Sequence, residues 1–238
     1  MRKEKDVFVS AVIVAAGKGS RMNTDINKQY LEIVDVPVLA RTLRAFDECA
    51  FVTEIVLVVN EAEILYCKQN IVDRFGFNKV KCLVSGGRER QESVFKGLNE
   101  VDPGCDVVFI HDGARPFIRQ ESLEACLDAA LEHGAGCIAV PVKDTIKQVD
   151  ADNFIAATPE RSMLWAIQTP QVFKYDIILD AHKKAAQEGF RATDDAMLAE
   201  RAGVKVKLVM GDYFNIKITT QEDLLFANAI ADYYQDRR

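Results

Sequence analysis

The chain lacks any Cys-x-x-Cys pair: its six cysteines, Cys49, Cys67, Cys82, Cys105, Cys126 and Cys137, are scattered along 238 residues. That spacing writes neither a zinc ribbon nor a thioredoxin-like redox centre. Three histidines, His111, His133 and His182, are too few to suggest a multi-histidine metal cage. No apolar run approaches the roughly 20 residues that cross a bilayer, and the opening stretch MRKEKDVFVS has neither the long apolar core nor the cleavage site of a secretory signal. Nor is there an excess of positive charge. Thirty Lys and Arg against 36 Asp and Glu leave a net charge of −6, which disfavours a protein built to neutralise a nucleic-acid backbone. The expectation is a cytoplasmic protein with no membrane or nucleic-acid partner, its cysteines acting as small buried hydrophobes.

What is present is ordinary globular composition, 49% hydrophobic and 28% charged. Continuous Val/Ile runs of strand length (VFVSAVIVAAG, EIVLVVN, KVKCLVSGG, CDVVFIHDG) alternate with helical patterns such as VPVLARTLRAFDEC and RQESLEACLDAALEHG. This alternation predicts an α/β fold, a mostly parallel Rossmann-like sheet with helices on both faces. The texture then changes: from Gly136 to Phe173 short segments rich in Pro and Thr replace long helices. They read as an inserted β-arm, at about residues 141–163, in a single domain spanning 1–238. Helix, helix, short strand and closing helix follow.

The first strand ends in AAGKGSRM, a position where open parallel sheets bind ligands. Gly17 and Gly19 are too close for a Walker A loop, and the third glycine of a dinucleotide fingerprint would fall at Met22. What remains is a Gly-x-Gly turn whose backbone N–H groups can approach phosphate, with Lys18 and Arg21 beside it and Lys28 following in NKQY. Clustered cations repel one another unless an anion joins them, so a polyphosphate is the expected guest; a solvated charged turn is the plain alternative.

Other strand ends add to this. FIHDGARPF places Asp112 after an apolar run, followed by Arg115 as a candidate substrate contact. Asp112 suits Mg²⁺, which takes one or two carboxylates plus phosphate oxygens and water; it equally suits a turn or a helix cap. SGGRERQES offers backbone at Gly86 and Gly87 and the hydroxyl of Ser93 to a base edge, or forms a tight turn into a helix. FNIKITT sets Lys217 on a short extended segment.

Together AAGKGSRM, KQY, GGRERQES, HDGARPF, TPERSMLWAIQTPQVF, TDDA and NIKIT, in this order over nearly the whole chain, resemble the 2-C-methyl-D-erythritol 4-phosphate cytidylyltransferase family. The resemblance implies joining of CTP to 2-C-methyl-D-erythritol 4-phosphate with release of pyrophosphate, Mg²⁺ dependence, and a homodimer clasped through the arm. It implies that Arg21 and Lys28 stabilise the transition state, that Ala15, Ala16, Gly87 and Ser93 recognise cytidine, and that Asp112 holds the metal. It further implies that Thr145 and Arg161, from the partner's arm, and Lys217 hold the acceptor phosphate, with Thr169 and Thr193 at further active-site positions. Two departures stand out: Asn27 replaces a proline common before the lysine, and Asp212 lies farther from Asn215 than the aspartate of some members. A ribitol 5-phosphate cytidylyltransferase and a non-catalytic nucleotide-binding module are the competing readings.

Overall fold

The computed structural model describes residues 7–17 and 27–235; Lys18, Gly19 and Arg21 lie outside them. In chain order the elements begin with β1 (Val9–Ala15), a two-stranded corner of β2 (Glu32–Ile33) and β3 (Val36–Pro37), α1 (Val38–Asp47) and β4 (Glu54–Val59). Then come α2 (Ile64–Cys67), β5 (Val80–Ser85), α3 (Arg90–Leu98), β6 (Val107–Asp112), α4 (Gln120–His133) and β7 (Ala135–Pro141). The arm hairpin is β8 (Gln148–Val149) with β9 (Ile155–Ala157). After it follow β10 (Trp165–Lys174), α5 (Tyr175–Glu188), α6 (Asp195–Arg201), β11 (Lys207–Met210) and α7 (Gln221–Gln235).

Seven strands form one sheet in the order β11-β7-β10-β6-β1-β4-β5. All neighbours are parallel except β10, which runs antiparallel to both β6 and β7. The mostly parallel sheet is as expected. From β1 the chain moves outward through β4 to β5, then crosses back to lay β6 on the other side of β1. The loops leaving β1 and β6 therefore diverge at a topological switch point, where such sheets open a crevice.

Side-chain alternation along the strands feeds two cores. Ala11, Ile13, Ile55 and Leu57 face one way, packed with Leu39, Leu43 and Phe46 of α1 and Leu123 of α4. Val12, Val56 and Val58 face the other, against Val94 and Leu98 of α3 and Ile178 of α5. A strand buried on both faces cannot alternate with polar residues, which is why these runs are continuously apolar. All six cysteines are free, five of them buried, and burial pushes the Cys67 thiol up to about 12. Among the described residues no helix is long and apolar enough to cross a membrane.

Local differences from the sequence reading have physical causes. The stretch EAEILYCKQNIVDRFG, residues 61–76, reads as one regular helix, yet it widens into π geometry at Lys68–Asp73, turning Ile71 and Val72 into the core. Lys217 sits in no ladder; the 215–218 segment is held by individual contacts instead. The arm leaves the sheet after Pro141 and returns at Trp165, with Phe154 72%, Ile155 64% and Met163 80% exposed.

α3 lies close on β1 and β4 because Gly97 has no side chain there. A Cβ at Gly97 would stand 2.5 Å from Val12 Cγ1 and 2.8 Å from Val58 Cγ2. Gly97→Ala is expected to destabilise by roughly 1–3 kcal/mol through overpacking, although alanine favours a helix interior by about 1 kcal/mol. Urea unfolding checks this, and an unchanged or raised midpoint would mean that α3 can back away freely.

Candidate active site

A 170 Å³ cavity opens at the carboxyl ends of β1, β5 and β6. Ala15, Ala16 and Gly17 come from the turn after β1, Lys28 and Gln29 from the NKQY turn, and Gly87, Arg90 and Ser93 from the segment after β5. Asp112 and Lys217 complete the wall. Ala15, Ala16, Gly17, Lys28, Gly87, Ser93, Asp112 and Lys217, far apart in sequence, thus line one cavity.

The turns after β1 and β5 touch. A Cβ at Gly86 would stand 2.3 Å from the Ala16 methyl, so only glycine lets the two loops close side by side. Ser93 is buried, and its hydroxyl accepts from the Gly87 N–H at 3.0 Å while donating to the Glu89 carbonyl at 3.1 Å. Its role in this structure is to shape the glycine loop.

Asp112, 6% exposed, collects three cations. Arg90 Nε donates to Oδ1 at 3.0 Å, Lys217 Nζ lies 2.6 Å from Oδ2, and Arg115 Nε is 3.9 Å from Oδ2. Burial pushes the carboxyl up, but Arg90, then Lys217 and Arg115, outweigh it and hold Asp112 well below the usual carboxylate range. It stays ionised.

Behind Asp112 lies a polar scaffold. Thr169 Oγ1 accepts the Asp112 N–H at 3.0 Å and so turns its own proton to His111 Nδ1 at 3.1 Å. His111 Nε2 then donates to the Arg115 carbonyl at 3.1 Å. Burial pushes the His111 imidazole down to about 4, which keeps it neutral in this role. Arg115 Nη1 donates to the Asn215 carbonyl at 2.7 Å, and Asn215 Nδ2 donates to the Thr169 carbonyl at 2.9 Å, docking the segment that carries Lys217.

Other residues named from the sequence stand outside the lining of this cavity. Thr169 is buried and does not line the cavity, because its hydroxyl, on the strand beside β6, is turned to the Asp112 N–H and His111. Arg115 is turned into the protein toward Asn215. Thr193 is exposed with its hydroxyl on Met197 Sδ at 3.7 Å. Thr145 and Arg161 stand on the exposed arm, Arg161 Nη1 donating to the Lys143 carbonyl at 3.2 Å. Asp212 pairs with Arg119 at 3.2 Å and caps the Phe214 N–H at 2.8 Å, away from Asp112.

Sequence reasoning missed Arg90 and Asp195. Arg90 Nη1 donates to Asp195 Oδ2 at 2.7 Å, and His182 Nε2 lies 3.0 Å from Asp195 Oδ1. Burial raises Asp195, but Arg90 first and His182 next outweigh it, lowering its pKa; burial likewise lowers Arg90 and is outweighed by Asp195 and Asp112. A signal was present: Arg90 is the first residue of α3, where the helix dipole disfavours a cation unless carboxylates face it.

The family model described as "IspD: 2-C-methyl-D-erythritol 4-phosphate cytidylyltransferase" matches residues 9–232. The chain belongs to that family. A cytidylyltransferase of the same description from Caldanaerobacter subterraneus subsp. tengcongensis is 53% identical over 219 residues, covering 92% of this chain and 96% of the relative. One from Geotalea uraniireducens is 51% identical, covering 93% and 95%. The crystal structure of 4-diphosphocytidyl-2C-methyl-D-erythritol synthase from Anaerococcus prevotii superposes with a TM-score of 0.85 at 37% identity, covering 95% of this chain and 97% of that one.

In this cytidylyltransferase-family site the lowered pKa of Asp195 links pH to stability. Its contribution is full above the unfolded value of 3.8 and is lost as pH falls below it. Asp195→Asn is expected to be less stable than the parent near neutrality, with the gap closing as pH falls through and below that value. Denaturant melts across acidic pH check it; a gap independent of pH would contradict the assignment.

Proposed function

We propose that this chain transfers the cytidylyl group of CTP to 2-C-methyl-D-erythritol 4-phosphate and releases pyrophosphate. The observation that carries the reading is the convergence of the β1 turn, the β5 loop, Lys28, Arg90 and Lys217 around one ionised carboxylate, in a chain of this family. A phosphate monoester is anionic near neutral pH, so its oxygen attacks the α-phosphorus without a general base. The new P–O bond forms as the bond to the β-phosphate oxygen breaks, and the electron pair leaves with pyrophosphate. What the chain supplies is alignment of two anions and fixed positive charge.

In this reading Lys28 and Arg21 stabilise charge developing on the transferring phosphorus, and the backbone of Gly17 and Gly19 with Lys18 holds the triphosphate. Gly87, in the loop shaped by Ser93, offers its backbone to the cytosine edge, beside Ala15 and Ala16. Lys217 orients the acceptor phosphate. Asp112 would hold Mg²⁺, which takes one or two carboxylates and fills its shell with phosphate oxygens and water, and an ionised carboxylate on a wall that also carries Glu89 fits that set. When bound, the ion neutralises phosphate oxygens. The free, mostly buried cysteines support a reducing, cytoplasmic setting.

In this reading Thr145 and Arg161 hold the acceptor phosphate in the site of a second copy, and the exposed Phe154, Ile155 and Met163 of the arm support a homodimer clasped there. Phe154→Asp is expected to shift the protein toward monomer in sedimentation and to lower activity in parallel; a monomeric parent chain would sink the arm-clasped dimer.

Pyrophosphate release from CTP with Mg²⁺ tests the activity itself. Release is expected with methylerythritol phosphate and not with ribitol 5-phosphate, and the reverse would refute the acceptor. Lys28→Ala and Arg21→Ala are each expected to lower turnover by about 10² to 10³ while the fold survives, as when a preorganised charge contact is deleted. Wild-type turnover in either variant would remove that residue from the mechanism.

A further inference from the structure

Lys28 is carried by a single short turn. The Lys28–Tyr30 segment is one turn of 3₁₀ helix, preceded by Asn27 in an extended conformation whose side chain caps nothing within that turn. Such a turn has poor hydrogen-bond geometry and little stability of its own. Lysine adds four rotatable bonds, so a preorganised charge requires at least a fixed backbone beneath it.

One carboxylate outside the cavity meets this requirement. Glu63 stands in the helical segment that follows β4. Its Oε1 accepts from Asn27 Nδ2, and its Oε2 accepts from Gln29 Nε2 at 3.1 Å and from Tyr30 Oη at 3.2 Å. Three donors from four consecutive residues meet on one side chain. Gln29 and Tyr30 are buried, and the Tyr30 ring packs edge-on against Tyr66 at 5.0 Å. Burial first, then Cys67 and Glu63, holds the Tyr30 phenol well above its ordinary value, so it remains a donor. Lys28, in the middle of the clamped residues, lines the cavity.

We infer that Glu63 is a positioning residue for the transfer reaction: by gripping Asn27, Gln29 and Tyr30 it sets the direction in which Lys28 enters the cavity. The inference rests on the reading of Lys28 as a transition-state contact. It also gives Asn27 a purpose, since a proline at that position has no amide with which to reach Glu63.

The test is a double-mutant cycle on turnover with CTP and methylerythritol phosphate, comparing Glu63→Ala, Lys28→Ala and the double variant. Glu63→Ala is expected to lower kcat by roughly 10-fold to 100-fold, the range seen when a group orienting a functional side chain is removed. KM for CTP is expected to stay within about threefold, because the lost interaction belongs to the transition state. In the Lys28→Ala background Glu63→Ala is expected to have no further effect on kcat. A merely structural role would multiply kcat by the same factor in both backgrounds, and that result overturns the inference. An unchanged kcat in Glu63→Ala does so as well. Should Glu63→Ala fail to fold, Asn27→Ala, which leaves two of the three donors, runs the same cycle with a loss of a few-fold and the same criterion. Wild-type kcat in Lys28→Ala alone would reject the role of Lys28 and the clamp with it, whereas a large Lys28→Ala loss with multiplying factors rejects the clamp alone.

Discussion

The buried charge cluster at Asp112 is the constraint around which this site is arranged. A carboxylate so nearly removed from water is costly unless cations and hydrogen bonds surround it. Here Arg90, Arg115 and Lys217 do so, drawn from the start of α3, the turn after β6 and the segment before α7. Removing one member of such a buried pair typically costs about 3–5 kcal/mol, so the cluster ties three remote stretches of chain to one point. In the proposed reaction the same arrangement would serve a polyanionic guest, because the cations are collected and oriented before it arrives and little reorganisation is left.

The antiparallel strand β10 makes the cluster possible. Inserted between β6 and β7, it lays three buried polar residues, Gln168, Thr169 and Gln171, under the strand ends. Each is spent internally. Gln168 Nε2 donates to the Asp212 carbonyl at 2.9 Å, Thr169 holds the Asp112 amide, and Gln171 Oε1 accepts the N–H groups of Asp195 and Ala196 at 3.0 and 2.9 Å. The IQTPQ motif thereby anchors Asp112, the NIKIT segment and α6 to one floor. Its threonine supports the site from beneath, which a motif read along the chain cannot distinguish from a residue that faces the ligand.

Much of the architecture was legible along the chain. Continuous Val/Ile runs between amphipathic segments dictate a sheet covered on both faces, because β-branched strands with no polar alternation have nowhere else to go. The strand-end aspartate and the arm were equally visible, since each follows from local backbone needs or a change of texture. Residues that act by pairing left weaker traces. Arg90, Asp195 and Glu63 read as ordinary surface charges until folding brings their partners within 3.2 Å.

Pattern along the chain specifies the class of fold, the order of its main strands and helices, and the stretches from which the crevice is assembled, because those depend on short-range pattern and chain stereochemistry. Tertiary structure alone decided which charges neutralise one another, that Thr169 and Arg115 face inward, and that a carboxylate 35 positions away holds the turn bearing Lys28. Electrostatic pairing depends on distance in space, and distance in space is set only when the sheet has closed its order across the switch point.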